Sequence, residues 1–217
     1  MSNFIFDSMT GSDGDALTAH TPETGGAYSI HPSASQSPII TGNRARGNTG
    51  VAWVYNAATP PSQDYTVEGF WRQVTDEIAN AGVQARLSPT TDDYYIARYS
   101  QDANQVQLRK VISSAGTSLG TFDISLANGD DLLITFVCTD AVKQVYVNSV
   151  LQITSLDNSI TGAGVVGVRW TALTTPATQG MHLDYLKASV PDAPTPTLAK
   201  VIPNNLRPRI FAPGIAR

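Results

Sequence analysis

Across residues 1–190, apolar and polar positions alternate in short runs with a period of two. No stretch sustains the 3.6-residue spacing of an amphipathic helix. The runs cover 51–55, 65–74, 82–87, 94–100, 105–111, 119–124, 132–139, 144–147, 150–154, 165–170 and 181–188. Clusters of Gly, Asn, Asp, Ser or Pro separate them at intervals near ten residues, which predicts an all-β sandwich or barrel. Asn148-Ser149, between two valine-rich runs, predicts a two-residue hairpin, because asparagine tolerates positive φ. One turn at 76–81 is the sole helix expected, and neither an internal repeat nor a heptad is visible.

The chain has 217 residues and a formal net charge of −4, a size that suits one large β domain. A body of this length buries enough surface to fold without a metal or a disulfide. The single cysteine, Cys138, excludes an internal disulfide framework. It falls in phase with Leu132, Ile134 and Phe136, so it reads as a buried, inert thiol. Met1-Ser2-Asn3-Phe4-Ile5-Phe6-Asp7 carries no basic leader, and no run approaches the length of a membrane span. The expectation is a protein made in a cytoplasm, without membrane contact. Its acidic balance argues against nucleic-acid binding, which needs a basic face to neutralise phosphate.

The last 27 residues differ from everything before them. Pro191, Pro194, Pro196, Pro203, Pro208 and Pro213 exclude regular structure, while Leu206, Ile210 and Phe211 are too apolar for a solvated linker. Lys200, Arg207, Arg209 and Arg217 against Asp192 give this segment a charge of +3, leaving −7 on residues 1–190. The division is therefore a body at 1–190 and an extended arm at 191–217. The arm is expected to dock on a neighbouring copy or another protein through Leu206, Arg207, Arg209, Ile210, Phe211 and Arg217.

The order of segments along the body sharpens the fold. The opening Phe4-Ile5-Phe6-Asp7-Ser8, the loop Gly11-Ser12-Asp13-Gly14, and the stretches VYVNSVL (145–151), SITGAGVVGVR (159–169) and HLDYLKA (182–188) resemble blocks of concanavalin A-like, laminin-G-like jelly rolls. The resemblance spans nearly all of residues 3–190. It implies an antiparallel two-sheet jelly-roll sandwich in which the first and last strands pair, bringing 4–6 beside 183–186. It implies no single function, since sugar binders, hydrolases and structural modules share the fold.

Candidate chemistry is sparse. Laminarinase-like members carry acids at alternate strand positions, but here Glu68 is followed in that phase by Phe70 and Arg72. Asp76-Glu77, Asp92-Asp93 and Asp130-Asp131 are adjacent pairs that suit turns. No catalytic residue is expected, and the reading is non-enzymatic. His20, His31 and His182 lack zinc spacing. The resemblance would bring Asp7 and Asp184 together as a candidate calcium shell, with carbonyls near Gly42-Asn43. They read as well as strand caps, so no metal or cofactor is expected. A possible glycan rim is formed by Asp92, Asp93, Tyr94 and Trp170, around the loop at 88–94. Trp53 and Trp71 lie within β-rich runs and are expected in the core.

The opening DSMTGSDGDALTAHTPETGG (7–26) and the ending LRPRIFAPGIAR (206–217) also resemble segments of tailed-bacteriophage structural proteins. This resemblance implies a virion protein, a capsid decoration or a tail or fibre component, anchored to other virion proteins or to copies of itself. The alternative is a carbohydrate-binding module that recognises host-surface glycans.

Overall fold

The computed structural model describes residues 2–75, 79–174 and 179–190. The arm at 191–217, with Leu206, Arg207, Arg209, Ile210, Phe211 and Arg217, lies outside the described residues, as does the Asp76-Glu77 pair.

Fifteen strands form among the described residues. They are β1 (Ser2–Asp7), β2 (Tyr28–Ile30), β3 (Ile39–Ile40), β4 (Ala45–Arg46), β5 (Thr49–Asn56), β6 (Tyr65–Gln73), β7 (Ala79–Leu87) and β8 (Tyr94–Ser100), then β9 (Gln105–Ile112), β10 (Ala115–Asp123), β11 (Asp131–Thr139), β12 (Val142–Val147), β13 (Val150–Leu156), β14 (Val165–Thr174) and β15 (Met181–Val190). Sheet A runs β13-β12-β11-β6-β15-β4-β3, with β1 also paired to β15. Sheet B runs β10-β9-β8-β7-β14-β5-β2. Every ladder within them is antiparallel, so the molecule is the two-sheet jelly-roll sandwich that the resemblance implied, one of the two architectures the alternation allowed.

Period-two alternation builds the core. Val67, Trp71, Leu132, Ile134 and Phe136 point inward from sheet A and meet Ala81, Val83, Ala97, Leu108, Val168 and Trp170 from sheet B. Cys138 is buried in phase with them, and burial pushes its thiol up to about 11. Trp71 and Trp170 meet edge to face with ring centroids 5.4 Å apart. Trp170 also donates its indole N–H to the Met181 carbonyl at 2.9 Å. It is therefore a core residue, because Val166, Val168 and Trp170 share the inward phase of β14.

Of the helical turn expected at 76–81, residues 76–78 lie outside the described residues and 79–81 belong to strand β7. Ala81 pairs with Trp170 on one side and Tyr99 on the other, and ladders on both edges override alanine's helical preference. Two of the two-residue hairpins place both turn residues at positive φ, Asn148-Ser149 (48° and 69°) and Ser113-Ser114 (49° and 67°). Such turns match the right-handed twist of the strands they join.

The first and last strands do pair, but β1 sits further along β15 than expected. Ile5 faces Ala188 and Asp7 faces Leu186, while Leu183 is taken by Ala45 of β4. Each aspartate of the candidate calcium pair has a protein partner of its own. Asp7 Oδ1 lies 2.8 Å from His20 Nε2 and accepts from the Met9 N–H at 2.7 Å. Asp184 accepts from Arg44 Nε at 2.8 Å.

Candidate functional site

The outward face of sheet B is unusual for a sandwich because it carries a second apolar cluster. Trp53, Leu87, Tyr94, Ile96 and Val111 pack there, one residue out of phase with the core. The β8 sequence Tyr-Tyr-Ile-Ala-Arg-Tyr-Ser shows how: Tyr95, Ala97 and Tyr99 point inward, and Tyr94, Ile96 and Arg98 point outward. Trp53 is thus not in the main core where its run placed it.

A loop folds over one end of this face. Hydrogen bonds from His31 N to Trp53 O (3.1 Å) and from Ser35 N to Val51 O (2.9 Å) hold residues 31–35 against β5. The His31 ring stacks on the Trp53 indole, with centroids 3.5 Å apart and planes 16° apart. Its Nε2 lies 3.2 Å from the Ser88 carbonyl and 3.1 Å from that of Thr91, while Nδ1 accepts the Ser33 N–H at 3.2 Å. That pattern fixes the neutral tautomer with the proton on Nε2. Burial also pulls the imidazole below its usual range, outweighing the two carbonyls and Asp92.

The loop at 88–93 is fastened by its two aspartates. Asp92 accepts from Ser33 Oγ at 2.6 Å and from Ser114 Oγ on the hairpin turn between β9 and β10. Burial would raise this carboxyl, but those hydroxyls together with His31 and Arg169 hold it below the usual carboxylate range. Asp93 accepts from Ser113 N at 2.8 Å and Thr91 Oγ1 at 3.0 Å. Ser113 and Ser114 present these donors because both sit at positive φ in the tight turn.

Beside this fastening lies a recess of about 220 Å³, lined by residues of β7, β8, β9, β10 and β14 together with Asp92. Across its middle runs one cross-strand row, Trp53–Arg169–Gly82–Arg98–Gln107, each residue opposite the next. Gly82 lets the β8 backbone at Ala97 and Arg98 approach closely, since a Cβ there would lie 2.5 Å from Arg98 Cβ. Arg98 donates through Nε and Nη2 to Gln107 Oε1 at 3.1 and 2.9 Å. Burial pulls its guanidinium down to about 10, and the charges of Arg109 and Arg169 add to the shift. Arg169 donates to the Tyr94 hydroxyl and lies over Trp53, its Cζ 4.7 Å from the indole centroid. The Arg109 guanidinium lies against Gly116, where a Cβ would come within 2.7 Å of Nη2.

Three polar atoms of this lining are buried without a hydrogen-bond partner: Asn80 Oδ1, Arg169 Nε and Thr171 Oγ1. Further buried atoms among the described residues also lack a hydrogen-bond partner, Trp71 Nε1 in the core among them; what sets these three apart is that their residues line a recess. A hollow of about 330 Å³ on the outward face of sheet A is different in kind. There Glu68 already accepts from Tyr185 (2.9 Å), Lys187 (3.3 Å) and Thr135 (3.4 Å).

Of the residues that sequence alone assigned to a glycan rim, Asp92 and Tyr94 line this recess and Asp93 secures its loop. Trp170 does not join them, because its side chain points through to the core and its neighbour Arg169 faces out. Sequence reasoning missed Asn80, Arg98, Arg109, Arg169 and Thr171. The signal was present in the alternation: fixing Val166, Val168 and Trp170 as inward leaves Arg169 and Thr171 outward.

No protein-family model matches the chain, and no curated protein matches its sequence. Solved structures do match its fold. One comes from a set of endo-acting O-glycanases expressed by members of the human gut microbiota (TM-score 0.62, 10% identity, 88% of this chain and 100% of that one). A Bacillus licheniformis β-glucanase gives 0.54 at 9% identity, covering 84% of this chain and 100% of that one. A carbohydrate-binding module from Bacillus subtilis gives 0.52 at 14% identity, covering 68% and 83%. At these identities the likeness shows the fold, a jelly-roll sandwich of the concanavalin-like kind.

Proposed function

We propose that this protein is a carbohydrate-binding module that holds a saccharide in the recess on the outward face of sheet B. The observation that carries this reading is the set of buried, unpartnered polar atoms there, Asn80 Oδ1, Arg169 Nε and Thr171 Oγ1. A sugar's hydroxyls both donate and accept, so one ring serves a carbonyl oxygen, an N–H and a hydroxyl at once. The structural neighbours are carbohydrate-binding or carbohydrate-cleaving by name, which favours a saccharide over other polar ligands.

The reading is binding without turnover. Hydrolysis of a glycosidic bond ordinarily uses two carboxyl groups flanking it. The lining of the recess contributes one, Asp92, and both its oxygens are engaged by Ser33 and Ser114. Glu68 belongs to the other sheet.

Display on a virion is compatible with a saccharide-binding body, and it rests on the arm at 191–217. A full-length Ile210→Ala/Phe211→Ala chain is expected to lose particle incorporation while keeping its glycan binding. Unchanged incorporation would remove the docking role.

The binding reading is tested by probing a glycan array with the full-length chain and with Asn80→Ala and Thr171→Val variants. The expected result is binding to a defined group of glycans, weakened about tenfold by each change through one lost hydrogen bond to ligand. Absence of binding to every glycan, or binding that neither substitution alters, would exclude the recess as a saccharide site.

A further inference from the structure

The recess concentrates positive charge on an otherwise acidic body. Residues 1–190 carry a formal charge of −7, yet Arg98, Arg109 and Arg169 converge on this one depression from β8, β9 and β14. None of the three forms an ion pair among the described residues, whereas Arg44, Arg72, Arg86, Lys110 and Lys187 all do. The lining supplies one carboxylate, Asp92, and its oxygens are occupied by two serine hydroxyls. Asp102, the next acid that Arg98 senses, is tied to Ser100. Three guanidinium groups with at most one carboxylate near them repel one another. The depressed proton affinity of Arg98 records that crowding on top of its burial.

The aromatic rings point the same way. Neutral pyranoses are commonly held against an open aromatic face, but no indole is open here. Trp53 is 1% exposed beneath His31 and Arg169, while Trp71 and Trp170 are in the core. Tyr94 is also buried, with its hydroxyl spent on Arg169. What the recess offers a ligand is guanidinium, amide and hydroxyl.

We infer that the recess selects an acidic saccharide, one whose carboxylate or sulfate ester is bound by Arg98, Arg109 and Arg169 while its hydroxyls pair with Asn80 and Thr171. The inference rests on the saccharide reading above and narrows it. Guanidinium groups match carboxylate and sulfate oxygens with paired, charge-assisted hydrogen bonds. A low-dielectric depression lined by one sign of charge also focuses its field on an incoming anion. At about 220 Å³ the space is below the roughly 300–1,000 Å³ of drug-sized pockets, so it takes one acidic ring rather than a run of them.

The test is calorimetric titration of the full-length chain at low salt with two acidic probes, tetragalacturonate and a heparin-derived tetrasaccharide. Sialyllactose is added as a terminal carboxylated sugar, and cellotetraose and lactose serve as neutral controls. Inorganic sulfate alone is the final arm. At least one acidic sugar is expected to bind about tenfold or more tightly than any neutral one, and to weaken as salt rises. The carboxylated and sulfated probes separate the two sources of anionic charge. Arg109→Gln, chosen because Arg109 is only partly buried and its guanidinium lies over Gly116, should weaken that binding about tenfold with melting unchanged; Arg109→Lys should restore part of it. If a neutral sugar binds equally well and ignores Arg109→Gln, the acidic selectivity is wrong while the saccharide reading stands. If inorganic sulfate binds as tightly as any sugar, the site is an anion site and the saccharide half fails. Binding of none of these probes overturns both.

Discussion

Arg169 and Trp53 stand directly opposite one another across the β14–β5 ladder, with the guanidinium carbon 4.7 Å from the indole centroid. Because His31 stacks on the same indole at 3.5 Å, Trp53 joins a strand, a loop and a recess-lining arginine in one contact. This tryptophan holds the binding face together rather than offering a platform to a ligand.

Trp53→Ala should therefore cost about 3–5 kcal/mol, the usual range for truncating a buried tryptophan. Urea unfolding measures it. The same change should weaken glycan binding well beyond what the fold's loss explains, since Arg169 and the 31–35 loop both lose their support. A variant with near-native stability would show that the second cluster contributes little.

Gly82 pairs with Arg169 on one side and Arg98 on the other, the two arginines that line the recess. A Cβ there would lie 2.4 Å from the Ala97 carbonyl oxygen and 2.5 Å from Arg98 Cβ. Gly82→Ala must shift the β7–β8 ladder, so a loss of about 1–3 kcal/mol is expected in thermal or chemical melts. Unchanged stability would mean that the two strands yield freely at this point.

His31 gives a pH signature. Its pKa is lowered by burial, so the unfolded chain binds the extra proton more readily than the folded one. Stability is fully present above the unfolded value near 6.5 and falls as pH drops from there toward the folded value; below that it loses nothing further from this group. Asp92 and Arg169 are the charged groups that face the ring. The melting temperature of wild type should decline across this window more steeply than that of His31→Gln. Parallel curves would refute the assignment.

Cys138 should be silent toward thiol reagents in the native state. Its thiol is fully buried and raised to about 11, which alone cuts the thiolate present near neutrality by about a hundredfold relative to a free cysteine. Labelling at mildly alkaline pH should be fast in urea and negligible without it. Rapid native labelling would mean that β11 opens far more often than its central place in sheet A suggests.

The fold was largely legible in the sequence, because strand periodicity is a local property. The run at 94–100 is the strand Tyr94–Ser100, and Cys138 lies in the core phase set by Leu132, Ile134 and Phe136. The short strands β2, β3 and β4 were not visible, since two or three residues carry no period. Half of the site was legible as well. Asp92 and Tyr94 were found through a loop rich in turn residues, but the arginines were not, because each stands alone in its run. Only the lateral register of four strands, β14, β7, β8 and β9, brings Arg98, Arg109 and Arg169 together, and register depends on partners distant in sequence. Trp170 was misplaced for a different reason: the inward phase it shares with Val166 and Val168 was not applied, and next to Arg169 in sequence it lies on the opposite side of the sheet.

The most direct measurement is a nuclear magnetic resonance titration of the full-length chain with tetragalacturonate, and with cellotetraose as the neutral probe. It would follow the side-chain signals of Asn80, Arg98, Arg109 and Arg169 together with the three tryptophan indoles. The expected result is that shifts gather on those four residues and on the Trp53 indole, leaving Trp71 and Trp170 unmoved. Shifts gathered instead around Glu68, Tyr185 and Lys187 on sheet A, or none with these two sugars, the heparin-derived tetrasaccharide and sialyllactose alike, would contradict a saccharide site on sheet B.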